Sequence, residues 1–265
     1  MTWWQSVVLA LLQGLTEFLP ISSSGHLVLV PVIAGWQDQG LAFDVAVHFG
    51  TLAAVLIYFR RDLLAMAHGW FRQVGGGGPS PESRLAWAVI VGTLPLGLVG
   101  FVGHDWIEAN LRSALVIAAA TGGFGVALWL ADAFGAQRRS EDSLRLGDAL
   151  LVGLAQVLAL IPGTSRSGIT MTAAMALGLT RSAAARFSFL LSVPAILAAT
   201  GLETWNLIES TDPVRWDILA GATAISAVTA YLAIRLFLGF IERIGMWPFA
   251  VYRLVLAAVI LWLVV

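Results

Sequence analysis

Long apolar stretches separated by short polar ones make up most of the chain, and two of the polar breaks look alike. Residues 13–27 (QGLTEFLPISSSGHL) interrupt one apolar run, and residues 161–169 (IPGTSRSGI) interrupt another about half a chain later. Each breaks off after a proline, passes through hydroxyl residues, reaches a Ser-Gly pair and resumes as apolar helix. A spanning helix needs about 20 apolar residues, whereas runs of about 10 to 14 are more often re-entrant or interfacial. The runs at 2–16 and 27–35 are both short. Pro20 disfavours helix at Leu19, and Ser22, Ser23 and Ser24 suit an N-cap, so the pattern predicts helix, break, helix, entering and leaving on one side. Trp3, Trp4 and Trp36 would then share one interface, as aromatic belts favour.

Full spans are predicted near 41–59, 85–103 and 113–131, with a glycine-rich, flexible loop (GGGGPSPES) between the first two. The pattern then restarts. Residues 146–160 form a short apolar run, PGTSRSG is the break, 169–179 resume, and three spans follow near 184–202, 217–238 and 247–265. The expected fold is an all-α polytopic membrane protein forming one domain over 1–265. It has two repeats, about 1–132 and 146–265, each a broken re-entrant pair plus three spans. An odd number of crossings separates the repeats, so the second is inverted, an arrangement that transport folds use to place a site at the midplane. Gln13 and Gln156 lie the same distance before Ser24 and Ser167.

Loop charge sets the orientation. With 60–84 cytoplasmic, that side collects Arg60, Arg61, Arg72, Arg84, Arg138, Arg139, Arg145, Arg181, Arg186, Arg235 and Arg243, against Arg112 and Arg215 outside. Loops 104–112 and 203–216, with Asp105, Glu108, Glu203, Glu209 and Asp212, then face out. The first pair enters from outside and the second from inside.

Composition narrows the classes. With 58% hydrophobic and 12% charged residues the 265-residue chain is too apolar for a soluble domain, and a net charge of -1 gives no basic field for nucleic acid. There is no cysteine, hence no disulfide, thiolate nucleophile or thiolate metal site. All 15 basic residues are Arg, which removes lysine as a base and leaves the planar fork suited to phosphate or carboxylate. The first residues lack a positive n-region, so a cleaved signal peptide is not expected.

Chemistry concentrates in the breaks. Glu17 sits in an apolar run on the same helix face as Gln13, and an ionisable group at membrane depth is usually functional. Metal ligation, general base and pairing with a buried Arg all remain open for it. Ser22, Ser23 and Ser24 open one half-helix, and Thr164, Ser165, Arg166 and Ser167 open another. Two helix N-termini with an added guanidinium specify a dense anion such as phosphate, although any single hydroxyl could be only a cap. His26, three residues from Ser23, is a candidate acid/base or nucleophile partner. His48 is read as buried and satisfied, and His68 and His104 as loop or interface residues. Arg166 would be costly at the midplane without an anion or an internal bridge to Glu17. Arg186 and Arg253 are expected to snorkel to the cytoplasmic interface.

QGLTEFLPISSSGHL and PGTSRSG, supported by FDVAVHFGTLAAV at 43–55 and ARFSFLLSVPAI at 185–196, resemble the undecaprenyl-diphosphate phosphatase family, also called bacitracin-resistance proteins. The resemblance covers essentially the whole chain. It implies a multi-pass enzyme of the bacterial plasma (inner) membrane that converts undecaprenyl diphosphate to the monophosphate and phosphate, recycling the carrier for cell-wall synthesis. Its site would open to the outer, periplasmic side, and the implied partners are a polyprenyl diphosphate lipid and the bilayer. A divalent cation, Mg2+ or Ca2+, is implied as well. By motif, Glu17 would bind metal or act as base, Ser23 and His26 would work at the reacting phosphate, and Arg166 would hold the diphosphate. Ser22, Ser24, Thr164, Ser165 and Ser167 would contact substrate. Many members carry a second Glu where this chain has Gln13, whose carbonyl is the remaining candidate for a second metal ligand.

Two rivals come from other classes. A secondary transporter or lipid flippase shares the inverted-repeat architecture but has less use for a Ser-His pair. A phosphatidic-acid-type lipid phosphatase shares short SGH and SR strings, yet the chain has no lysine and no histidine after Arg166.

Overall fold

The computed structural model describes residues 1–111, 113–209 and 215–264. Arg112 and Asp212, and the side chains of His104, Asp105, Glu108 and Glu209, lie outside the described residues. What is described is helical, without strands. In chain order the α-helices are α1 Trp3–Thr16, α2 Ser23–Ala34, α3 Leu41–Tyr58, α4 Arg60–Val74, α5 Pro81–Asn110, α6 Ala114–Phe134, α7 Leu146–Val157, α8 Arg166–Ala176, α9 Arg181–Glu209, α10 Trp216–Ile244 and α11 Trp247–Val264. Short 3-10 turns at Glu141–Ser143 and Leu158–Leu160 precede and follow α7.

Among the described residues five helices, α3, α5, α6, α9 and α10, are long and apolar enough to cross a membrane. The sixth expected span, α11, is one of the shorter apolar helices, as are α2 and the 146–160 run. One expectation needs correcting: 60–84 is only partly a flexible loop. Its first 15 residues form α4, because Asp62 stands in the first turn and Arg72 in the last, matching the helix dipole. Gly69 packs closely on Ser80 and Ser83 at the start of α5, and Trp70 lies against Trp87.

The helices pack where side chains are small. On α1, a Cβ at Gly14 would sit 2.6 Å from the Ser226 carbonyl oxygen of α10, and on α7, one at Gly153 would sit 2.9 Å from Cα of Gly92 on α5. α3 also lies along α10, where Thr223 and Ser226 donate to the carbonyls of Ala46 and Val47 at 3.0 and 2.8 Å. Such close backbone approach is how helices associate where lipid removes the hydrophobic drive. An aromatic cluster, in which Phe189 meets Phe18 edge-on at 5.2 Å, Phe59 at 6.4 Å and Phe237 at 5.8 Å, fills the core beneath the first break.

Contacts at the two ends of the bundle tie the short helices to the long ones. Leu9 of α1, Leu27 of α2 and Trp36 just beyond it cluster with Phe43 of α3 and Ile218 of α10, near the N-terminal ends of both long helices. Trp3 packs on Gly221. At the other end of the molecule, Arg139 donates to the Leu177 carbonyl that ends α8 at 3.0 Å and to Asp148 in the first turn of α7 at 2.5 Å.

That Arg139 end is charged and braced. Arg181 at the start of α9 bonds Asp132 near the end of α6, and Asp132 also accepts from the Met246 backbone N–H at 2.9 Å. Arg186 does not snorkel freely as expected. It bridges Asp62 and Glu141, each at 2.7 Å, with its guanidinium 5.4 Å above the Phe59 ring. Arg253 departs further: it is fully buried, and its surroundings are taken up below.

Candidate active site

The two breaks meet. α1 ends at Thr16, six residues turn without helix, and α2 begins at Ser23. The 3-10 turn after α7 ends at Leu160, and α8 begins at Arg166. Ser22 and Ser165 each stand immediately before a restarting helix and hold nearly the same unusual backbone, with φ of 70° and 68°. That left-handed region is uncommon for a residue with a side chain, and such strain persists only where the surroundings enforce it. In both breaks, hydroxyls two residues apart approach each other, Ser22 with Ser24 at 3.4 Å and Ser165 with Ser167 at 3.3 Å. The breaks are also joined directly, since the Ser167 hydroxyl donates to the Leu19 carbonyl at 2.9 Å.

Glu17 is the hub. Its Oε2 accepts the Ser23 hydroxyl at 2.6 Å and the Gln13 amide at 3.0 Å, while Oε1 accepts from Arg166 at 3.3 Å. Arg166 donates in addition to the Ser188 carbonyl of α9 at 3.3 Å. A carboxylate with 8% of its side chain exposed is thus neutralised by a guanidinium with 14% exposed, which answers the cost of placing either charge at depth. His48 of α3 stands beside them, with Nε2 4.0 Å from Glu17 Oε2. Its Nδ1 lies 2.7 Å from the Asp44 carbonyl, which can only accept, so Nδ1 carries a proton and Nε2 faces the carboxylate.

These groups open on one cavity of about 360 Å³. Glu17, Ser22, Ser23, Ser24, Ser165, Arg166 and His48 line its polar part. Leu96 of α5, Leu160, Ile161, and Ala195, Ile196 and Ala199 of α9 line the apolar part, and Glu203 stands further along α9. Polar donors gathered at one end of an apolar cleft are what an amphiphile with an anionic head requires.

Four residues singled out from the sequence lie outside this wall. Gln13 and Thr164 are completely buried, and Ser167 is 1% exposed. His26, expected near Glu17 and Arg166, turns toward α11: Nδ1 donates to the Ser22 carbonyl at 2.7 Å, and Nε2 meets the Tyr252 hydroxyl at 2.5 Å with the two rings stacked. His48, read as a satisfied core residue, is the histidine in the cavity wall. Nothing in its local sequence signals this, because only the packing of α3 against the first break brings it to Glu17.

A resident divalent cation does not fit these residues on their own. Glu17 already has three partners, one of them a cation. Gln13 turns its amide nitrogen to Glu17, which leaves its carbonyl oxygen buried without a hydrogen-bond partner. Among the described residues no group of three or more His, Asp or Glu is placed to hold a metal.

Fold and site together define a multi-pass helical membrane protein with a buried, Arg-bearing polar site between two broken helices. Residues 6–259 match the family model described as Bacitracin resistance protein BacA. The chain is similar to the undecaprenyl-diphosphatase of Hahella chejuensis, 58% identical with all of both chains covered. It is also similar to those of Nitrosococcus oceani, 58% identical over 97% of each chain, and Chromohalobacter salexigens, 56% identical over 98% of each. The chain belongs to the bacitracin-resistance, or undecaprenyl-diphosphatase, family.

Proposed function

We propose that the protein is an undecaprenyl-diphosphate phosphatase, a hydrolase that releases the terminal phosphate of the lipid diphosphate and returns the monophosphate carrier to cell-wall synthesis. The observation that carries this is the Ser23 hydroxyl held 2.6 Å from Glu17, with Arg166 on the other oxygen of the same carboxylate, all in one cavity wall. In this reading Glu17 takes the proton of Ser23 as its Oγ attacks the terminal phosphorus. The bond from that phosphorus to the bridging oxygen breaks, undecaprenyl phosphate leaves, and a water then hydrolyses the phosphoserine. Arg166 exchanges Glu17 for the diphosphate and, with the N-termini of α2 and α8, stabilises charge on the transferring group. Ser22, Ser24 and Ser165 offer hydroxyls to the same oxygens. Thr164 and Ser167 shape the α8 turn, and His26 holds the strained Ser22 in place. The apolar wall from Leu96 to Ala199 takes the start of the prenyl chain.

The divalent cation enters this proposal with the diphosphate, not as a resident of the protein, and no step is routed through it. The inverted repeat and re-entrant pairs remain part of the reading. Supporting them are the matched strain at Ser22 and Ser165 and the pairing of α1 with α10 and α7 with α5. The cavity runs along α9 toward Glu203, away from the Arg139 end. With the arginine-rich end cytoplasmic, the site faces the periplasmic side of the plasma membrane.

A transporter needs the helix N-termini and the arginine but has no use for a hydroxyl held on a carboxylate, so the flippase reading is not favoured. Phosphate release from undecaprenyl diphosphate by purified protein in detergent, with and without chelator, tests the proposal. Wild type should turn over, and Arg166→Lys should lose about 10²-fold or more, because the ammonium lacks the planar fork. Binding without turnover by wild type would sink the enzyme.

A further inference from the structure

Arg253 of α11 is 0% exposed and, among the described residues, has no carboxylate partner. Its charge is met by main-chain carbonyls alone. Nε donates to Thr121 at 3.0 Å, Nη2 to Gly163 at 3.0 Å and to Ala120 at 3.4 Å, and Nη1 to Pro20 at 3.3 Å. Thr121 and Ala120 belong to α6. Pro20 and Gly163 lie in the two breaks, at equivalent positions of the two halves: Pro20 precedes Ser23 by three residues, and Gly163 precedes Arg166 by three. Space for the guanidinium is made by glycine on both flanking helices. A Cβ at Gly168 of α8 would lie 3.0 Å from Nη1, and one at Gly125 of α6 would lie 3.0 Å from Arg253 Cβ.

Burying a lone guanidinium is expensive, more so against helix N-termini that already carry partial positive charge. Apolar packing of similar volume would serve stability as well or better. What a hydrophobic residue would not do is fix two carbonyls from opposite halves at a set separation. The planar fork does, since its donors leave in fixed directions from one rigid group.

We propose that Arg253 is a positioning residue that sets the reacting geometry. By holding Pro20 and Gly163 on one guanidinium it fixes the N-terminus of α2, with Ser23, relative to that of α8, with Arg166. Arg253 itself is not among the residues that line the cavity. The proposal rests on the phosphatase reading for its kinetic consequence but not for its geometric one.

Displacing reacting groups by about 1 Å costs on the order of 10²-fold in rate. Arg253→Lys keeps the charge but cannot span the two carbonyls, and Arg253→Met removes both. Each should lower kcat on undecaprenyl diphosphate about 10²-fold with KM within about threefold. The chain has no cysteine, so Ser24→Cys in each background takes a single fluorinated thiol label. One sharp 19F resonance is expected with Arg253 present and a broadened or split one in both variants. Gly125→Ala presses on Arg253 without removing it and should give a smaller kcat loss in the same direction. Restored kcat in Arg253→Lys would assign the effect to charge, and an unaltered resonance in both variants would likewise overturn the proposal. So would failure of every variant, Gly125→Ala included, to fold, because that marks a general stability role. If wild type does not turn over, the phosphatase reading fails while the 19F comparison still decides the role of Arg253.

Discussion

Glu17 Oε2 lies 2.6 Å from the Ser23 hydroxyl, although Ser23 comes six positions later in the chain, across the break between two helices. The contact exists because the chain leaves α1 at Glu17, turns through Pro20 and the left-handed Ser22, and starts α2 with Ser23 facing back. A hydroxyl so held has one acceptor for its proton.

Glu17→Gln keeps the size and a hydrogen-bonding oxygen but cannot take that proton. It should fold, with turnover down about 10²- to 10⁴-fold, the usual range for losing a general base. Ser23→Ala should lose at least as much and should abolish any acid-stable phosphoserine found by mass spectrometry after rapid quench. Turnover by Ser23→Ala near the wild-type rate would transfer the attack to water.

His48 presents Nε2 to the cavity 4.0 Å from Glu17. A glutamine there places an amide nitrogen at similar reach, whereas leucine offers nothing polar. His48→Gln should stay within about tenfold of wild-type kcat/KM, and His48→Leu should lose more, because the glutamine amide can still donate to an anionic head in the cavity, and a hydrogen bond to a charged group is worth about 1.5 to 3 kcal/mol. Equal values for the two variants would mean that the imidazole only fills space.

Away from the cavity, Asp132 ties α6 to α9 and α11 through Arg181 and the Met246 N–H. Asp132→Asn retains the shape but leaves Arg181 without its counter-ion. A stability loss of about 2 to 3 kcal/mol is expected, as hydrogen bonds to charged groups contribute about that much. Thermal unfolding in detergent should shift down while kcat at low temperature stays unchanged.

Much of this was legible in the chain. The two polar breaks, Glu17 and Arg166 stand out because ionisable groups are rare in apolar runs, and the long helices follow from length and hydropathy. Other features depend on contacts between distant segments, which no local pattern encodes. Arg253 reads as a residue near the end of a span, and only the meeting of Pro20, Gly163 and α6 around it makes it internal. His26 and His48 exchange places for the same reason: the ring three residues from Ser23 turns to Tyr252, and the ring from another helix reaches the cavity. α4 was hidden behind the glycine run that follows it.

Gly14 provides a test of how far helix packing governs the site. It lies one residue after Gln13 and three before Glu17, and its Cα faces α10 so closely that a Cβ would sit 2.6 Å from the Ser226 carbonyl and 2.7 Å from Thr229 Cβ. Neither atom can yield without moving α10, so Gly14→Ala must push α1 outward and carry Glu17 with it. Overpacking of this kind costs about 1 to 3 kcal/mol, and the shift in Glu17 should lower kcat about tenfold or more. Gly123→Ala is the matched control, since nothing lies within 4 Å of a Cβ there. It should leave kcat unchanged and raise stability slightly, through alanine's better helix propensity of about 1 kcal/mol. Parallel melting curves and turnover for the two variants distinguish a site held by close packing of α1 on α10 from one that tolerates its displacement.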